Sequence, residues 1–183
     1  MTLLTSNNVL VPIDFSKEAH QALIDTLAWV KAPTKLHVIH MLHPLEPTEL
    51  GMTWQTIDDK TRIDNIKAMF YKEFPDEAYQ QAKFTVTVGH PSAEIIDYSS
   101  HNAIDLIVIP SSGRTGLARF FLGSVAERVV RFSHCPVLVI RKLPNWVCIA
   151  CSYATGLWIT ERENSGRLGS EGLRCGATIP RQH

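Results

Sequence analysis

The chain lacks an excess of either charge. Its 18 basic and 18 acidic side chains cancel over 183 residues. That balance gives no overall drive toward DNA or RNA, whose protein partners usually carry a basic excess. Long apolar runs are also missing, and none approaches the ~18 residues that a membrane-crossing helix needs. Met1 to Leu10 holds no basic residue, so a signal peptide's basic start is not expected there. Cysteine is scarce in most of the chain: only Cys135 occurs up to Leu143. One cysteine in so long a stretch does not suggest a disulfide framework and points to a reducing compartment, the cytoplasm. Apolar side chains, by contrast, are plentiful. At 45% hydrophobic content with no net charge, the chain is not composed like a disordered one, and its length suits one domain.

Strand and helix signals alternate from Asn8 to Arg141. Asn8 to Ile13 (NVLVPI) is a short apolar run rich in β-branched residues, as in a strand buried on both faces. Asp14 and Ser16 follow, and either suits a helix cap. Ala19, Ala22, Leu23, Thr26, Leu27 and Val30 then recur at helical spacing up to Pro33. Leu36 to Leu42 is the second strand. Pro44, Pro47 and Gly51 mark a loop, and a helix is expected over Thr53 to Phe74. Phe84 to Val88 is the third strand, and Pro91 suits the first turn of the helix after it. Leu106 to Ile109 is the fourth strand, Ser124 to Phe132 a helix, and Pro136 to Arg141 the fifth strand.

This alternation predicts an α/β fold: an open, doubly wound parallel sheet of five strands in the order 3-2-1-4-5, with helices on both faces. Such sheets bind ligands beyond the carboxyl ends of the strands where the strand order reverses. In that order strands one and four are neighbours. The segments leaving them are Pro12-Ile13-Asp14 and Pro110 to Ser124.

The second segment reads Pro110-Ser-Ser-Gly113-Arg-Thr-Gly116-Leu-Ala-Arg-Phe-Phe-Leu-Gly123-Ser124. Glycines let backbone approach a phosphate, and Gly123-Ser124 opens a helix whose first N–H groups favour an anion. Arg114 adds a cation. The competing reading is a plain strand-to-helix loop with turn glycines.

With these stretches in view, the chain resembles the universal stress proteins from about Asn8 to Lys142. The resemblance rests on VLVPIDFS at 9–16, LHVIHML at 36–42, VGHPSAEII at 88–96, DLIVIPSSGRTGL at 105–117 and FFLGSVAERVVRFSHCPVLVIRK at 120–142. The nucleotide-binding branch of that family carries G-x2-G-x9-G-S/T after strand four. Here Gly113 and Gly123-Ser124 match, and Pro110 replaces the first glycine. Proline removes an N–H and fixes φ, so any contact from that N–H is lost. The resemblance implies ATP or another adenine nucleotide as ligand, with or without Mg²⁺. It places Asp14 near adenine and ribose beside Pro12 and Ile13, backbone of Val38 at the adenine, and Gly113, Gly123, Ser124 and Val125 at the phosphates. It also implies a homodimer, formed through the last strand, Pro136 to Arg141. An edge strand left unpaired invites such pairing.

Other stretches carry weaker signals. His37, His40 and His43 lie on a strand, where His40 faces opposite to the other two, so a three-histidine metal site is not expected. His134-Cys135 reads as packing rather than as a nucleophile pair. The stripe Trp54, Ile57, Ile63, Ile66 and Phe70 reads as cover over the sheet, and Asp58, Asp59, Lys60 and Arg62 as a solvated helix face. Cys148 and Cys151 form a CxxC without a second ligand pair, since only Cys175 and His183 follow. No metal site and no catalytic residue is assigned. The domain therefore spans 1–143. Residues 144–183 read as an irregular tail, its glycines at 166, 169, 172 and 176 breaking any helix.

Three functions stay open. The first is a stress-response protein that binds an adenine nucleotide and hydrolyses it slowly or not at all, since no catalytic base or Walker lysine is found. The second is a dimeric interaction module without nucleotide binding, which Pro110 favours. The third, an enzyme of a related adenine-nucleotide hydrolase type, lacks the expected SGGxDS-like loop and HxGH motif. No nucleic-acid or membrane partner is expected.

Overall fold

The structure is a computed structural model that describes residues 8–30, 32–45, 58–111, 122–143, 146–153 and 156–163. Its elements alternate as the sequence predicts. They run β1 (Val9–Pro12), α1 (Lys17–Val30), β2 (Leu36–Leu42), α2 (Asp59–Glu73), α3 (Glu77–Gln81) and β3 (Lys83–Val88). After these come α4 (Pro91–His101), β4 (Leu106–Pro110), α5 (Ser124–Phe132) and β5 (Val137–Leu143). These five strands are parallel and ordered 3-2-1-4-5.

Two cores follow from the two-residue period of the strands. On one face Val9, Val11, Leu36, Val38 and Val108 pack with Ala22 and Leu23 of α1 and Phe70 of α2. On the other, Leu10, Ile39, Ile107 and Val139 pack with Ile95 of α4 and Val129 of α5. Both strand faces are apolar because both are covered, which is why these strands read as continuous runs rather than alternating ones. His37 and His40 split between the faces as expected. His37 Nδ1 meets the Tyr98 hydroxyl of α4 at 3.0 Å, and the His40 ring lies 5.0 Å from that of Phe15.

The helix starts resolve the capping choices. Ser16 caps α1, its Oγ accepting from the Ala19 N–H at 3.2 Å. Asp14 instead closes a turn, Oδ1 accepting from the Ser16 N–H at 3.0 Å. Asp58 caps α2 by accepting from the Thr61 N–H at 2.8 Å. That helix begins at Asp59, later than the predicted Thr53; residues 53–57 lie outside the described ones. The short helix α3 and a 3-10 turn at Pro33–Lys35 have no counterpart in the periodicity, being too short to show one.

The end of the chain differs from the irregular tail read from the sequence. Strands β6 (Trp146–Tyr153) and β7 (Gly156–Glu163) extend the sheet to seven, order β3-β2-β1-β4-β5-β6-β7. Both are antiparallel, and β6 pairs with β5 from Val137↔Ser152 to Leu143↔Trp146. The physical reason is the edge that β5 offers: a row of unpaired N–H and C=O groups next to an apolar segment of strand length. β6 therefore occupies the edge through which a second copy was expected to pair. Residues 164–183, with Cys175 and His183, lie outside the described ones. Among the described residues no helix is long and apolar enough to cross a membrane.

Candidate functional site

A cleft of about 540 Å³ opens at the carboxyl ends of β1, β2 and β4. Its floor is the end of β1, where Pro12, Ile13 and Asp14 leave the sheet. β1 stops early because the chain turns sharply here: Phe15 holds a left-handed φ of 59°, and Asp14 braces the turn from its side chain. A non-glycine residue in that region is uncommon and costs backbone strain. The Ile13 N–H still donates to the Ile39 carbonyl at 2.8 Å, and its own carbonyl accepts from His40 Nδ1 at 2.7 Å. That second bond fixes the His40 ring against the cleft floor.

The wall beside β4 comes from Pro110, Ser111 and the start of α5. The Ser111 N–H donates to the Ile140 carbonyl at 2.8 Å, and the Gly123 N–H donates to the Ser111 carbonyl at 2.8 Å. This pair of bonds ties Gly123 to the end of β4. Gly123 is the N-cap of α5 and supplies no side-chain cap, so no N-cap side chain takes up the first-turn N–H groups. Ser124, Val125 and Ala126 all line the cleft.

The wall beside β2 is formed by His40, Met41, Leu42 and His43, with Arg62 of α2. Sequence reading placed Arg62 on a solvated helix face. Instead its Nη1 donates to Asp59 Oδ1 and its Nη2 to the His43 carbonyl, both at 2.7 Å, and its side chain is 17% exposed. The helical spacing alone could not show this, because the contact spans the break between β2 and α2. Pro91 and Ile95 of α4 close the far side.

Six of the eight site residues read from the sequence thus border one cavity: Pro12, Ile13, Asp14, Gly123, Ser124 and Val125. Gly113 lies outside the described residues. Val38 stands apart. It sits in the middle of β2, fully buried, paired with Val11 and Phe84 on either side, and the strand reaches the cleft only two residues later, at His40.

A profile of the universal stress protein family matches residues 5–141. The chain belongs to this family. Among curated universal stress proteins, MJ0531 of Methanocaldococcus jannaschii is 36% identical over 91 residues, which cover 49% of this chain and 54% of that one. YxiE of Bacillus subtilis is 30% identical, covering 74% of this chain and 99% of that one. The solved structure of MJ0577 from M. jannaschii superposes with a TM-score of 0.61 at 25% identity, over 75% of this chain and 97% of that one. Two universal stress proteins share the fold at lower identity. One is in complex with cAMP (TM-score 0.51, 21% identity, 74% and 97% covered). The other, from Arabidopsis thaliana, has AMP bound (TM-score 0.50, 16% identity, 75% and 93% covered).

Of the other chemical candidates of this universal stress protein, His40 and His43 line the cleft, and Cys135 and His37 do not. Burial pushes the Cys135 thiol up to about 11, which leaves little thiolate for nucleophilic work. His37 is held below its ordinary value, by burial first and by Lys83 second. Among the described residues no group of three or more His, Cys, Asp or Glu side chains converges on a metal position.

Proposed function

We propose that the protein is a small cytoplasmic stress-response protein that binds an adenine nucleotide, ATP or a close relative, in the cleft at the ends of β1, β2 and β4. The observation that carries this reading is the convergence of Pro12-Ile13-Asp14 and Gly123-Ser124-Val125 on one cavity at the point where the strand order reverses. Its volume of about 540 Å³ lies within the range of small-molecule sites. The α5 N-terminus suits phosphate, and the Asp14 carboxylate suits ribose hydroxyls. Pro12, Ile13, Met41 and Leu42 supply apolar surface for a base. The cAMP and AMP bound to proteins of the same fold support adenine as that base.

The proposed output is a bound state rather than a fast reaction. Of the charged side chains that line the described cleft, Asp14 is engaged by the Ser16 N–H and Arg62 by Asp59 and His43. Any Mg²⁺ would arrive with the phosphates. The homodimer implied by the family resemblance is proposed for chains whose β5 edge is uncovered.

A second reading, an interaction module without nucleotide, is favoured by Pro110. Ile107 and Ser111 both donate toward β5, to the carbonyls of Pro136 and Ile140. Alternate residues of a strand aim their N–H groups at opposite neighbours, so position 110 aims at β1, where the cleft lies. Proline leaves that donor out.

Calorimetric titration with ATP, ADP and AMP, with and without Mg²⁺, separates the two. The nucleotide reading expects a saturable isotherm with a Kd below about 1 mM, roughly −4 kcal/mol. Absence of heat for all three ligands at millimolar concentration leaves the interaction module.

A further inference from the structure

The cleft has two ends. At one, beside β4, is the start of α5; at the other, beside β2, is Arg62. β1 lies between β2 and β4, so the two ends are two strand spacings apart, about 10 Å. A nucleotide with its phosphate at α5 therefore presents its base toward Arg62.

The Arg62 side chain is built to hold one orientation. It springs from the first turn of α2, and its two terminal nitrogens are tied by 2.7 Å bonds to different elements, Asp59 on its own helix and the carbonyl that follows β2. Two bonds to a planar group fix the plane as well as the position. A guanidinium carries five N–H donors, so such a pair leaves donor capacity toward the cleft. Asp59, its ion-pair partner, is 54% exposed, and an exposed carboxylate neutralises it only weakly. Among the described residues lining the cleft, Arg62 carries the one permanent positive charge. Beside it the lining combines apolar Met41, Leu42, Ile13 and Pro91 with His40 and His43.

Resting on the nucleotide reading above, we propose that Arg62 is the residue that holds the base of the bound nucleotide. Its plane, fixed by the bonds to Asp59 and the His43 carbonyl, lies against the face of the purine. The guanidinium is suited to this task and an ammonium is not, because only the planar group stacks on an aromatic face. As a base contact, it is independent of the number of phosphates.

The test is to titrate the full chain and its Arg62→Met and Arg62→Lys variants with both ATP and adenosine, while following thermal unfolding. Both substitutions are expected to weaken ATP and adenosine by the same factor, about five- to tenfold. Arg62→Lys keeps a donor for the His43 carbonyl and so controls for the fold should Arg62→Met unfold. A loss confined to ATP would make Arg62 a phosphate residue and overturn the proposal, as would full affinity in Arg62→Lys. Unchanged affinities with a lowered melting temperature would reduce Arg62 to a strut between α2 and β2. Should the parent chain bind neither ligand, the nucleotide reading fails and the proposal with it. Parent binding with unaffected variants sinks the proposal alone.

Discussion

At the scale of single residues, Pro110 sets the clearest test. By strand alternation its missing N–H is on the β1 side, and Pro110 lines the cleft, so restoring it adds one donor there. Pro110→Gly is expected to tighten ATP by about 0.5–1.5 kcal/mol, the net worth of one hydrogen bond. The same change loosens the unfolded chain and lowers stability by about 1 kcal/mol. Calorimetry and urea unfolding read the two opposite signs, and unchanged affinity would show that the donor has no ligand to meet. His37 makes a different prediction. Its folded pKa is lowered from the ordinary 6.5 by burial and then by Lys83, so the folded state favours the neutral ring. The unfolded chain binds the extra proton first. The stability from neutral His37 is therefore complete above pH 6.5 and is lost as pH falls toward the lowered value. His37→Gln should flatten the decline in melting temperature between about pH 7 and 5. An equal slope in the variant would place the pH sensitivity elsewhere. That Pro110 removes an N–H donor was legible in the sequence; where that donor would point, and the role of His37, were not. The direction of the Pro110 donor depends on strand register, and the His37 environment depends on Tyr98 of a helix 61 positions away.

At the scale of elements, α5 and α2 carry the site walls. Gly123 caps α5 in an ordinary extended conformation, φ −61° and ψ 149°, which any residue adopts. Serine there would place a hydroxyl on the first-turn N–H groups. Gly123→Ser is expected to stabilise the free protein by a few tenths of a kcal/mol, about 0.3, and to weaken nucleotide binding because the new cap competes with phosphate. Stabilisation without any loss of affinity would mean that phosphate does not use this helix start. α2 is held chiefly through Phe70, which is fully buried and stacks on Phe84 with ring centroids 3.9 Å apart. Phe70→Ala should cost about 3–5 kcal/mol in urea unfolding. A smaller loss would mean that α2 docks by other contacts. Strands and helices with strong periodicity were legible in the sequence, since each buries one stripe or two faces. That Pro12-Ile13-Asp14 and the segment ending at Gly123-Ser124 meet was legible from topology, which puts the ends of β1 and β4 side by side; Val125 was added by the family resemblance. The β2 wall was not legible. Arg62 joins it through a backbone carbonyl across the segment 46–57, and no local pattern encodes a contact of that kind.

At the scale of the whole molecule, the question is what completes the sheet beyond β5. Residues 144–183 read from the sequence as an irregular tail, yet a periodic pattern is informative only where one face meets water. In the structure β6 pairs with β5 along seven residue positions, from Val137 to Leu143. β7 continues the sheet beyond β6. Pairing within one chain has a large advantage in effective concentration over pairing between chains. The intact protein should therefore be a monomer at micromolar concentration. Ending the chain after Leu143 removes β6 and leaves the β5 edge open, so a second copy can take its place by an isologous contact. Light scattering after size exclusion should give one chain's mass for the full protein and twice the truncated mass for the shortened one. The cleft lies at the ends of β1, β2 and β4, away from β6, so the truncated protein should keep the nucleotide affinity of the intact chain. A shortened protein that stays monomeric would show that the β5 edge does not support self-pairing. A dimer of the 183-residue chain would show that β6 leaves that edge, or that dimerisation uses another surface.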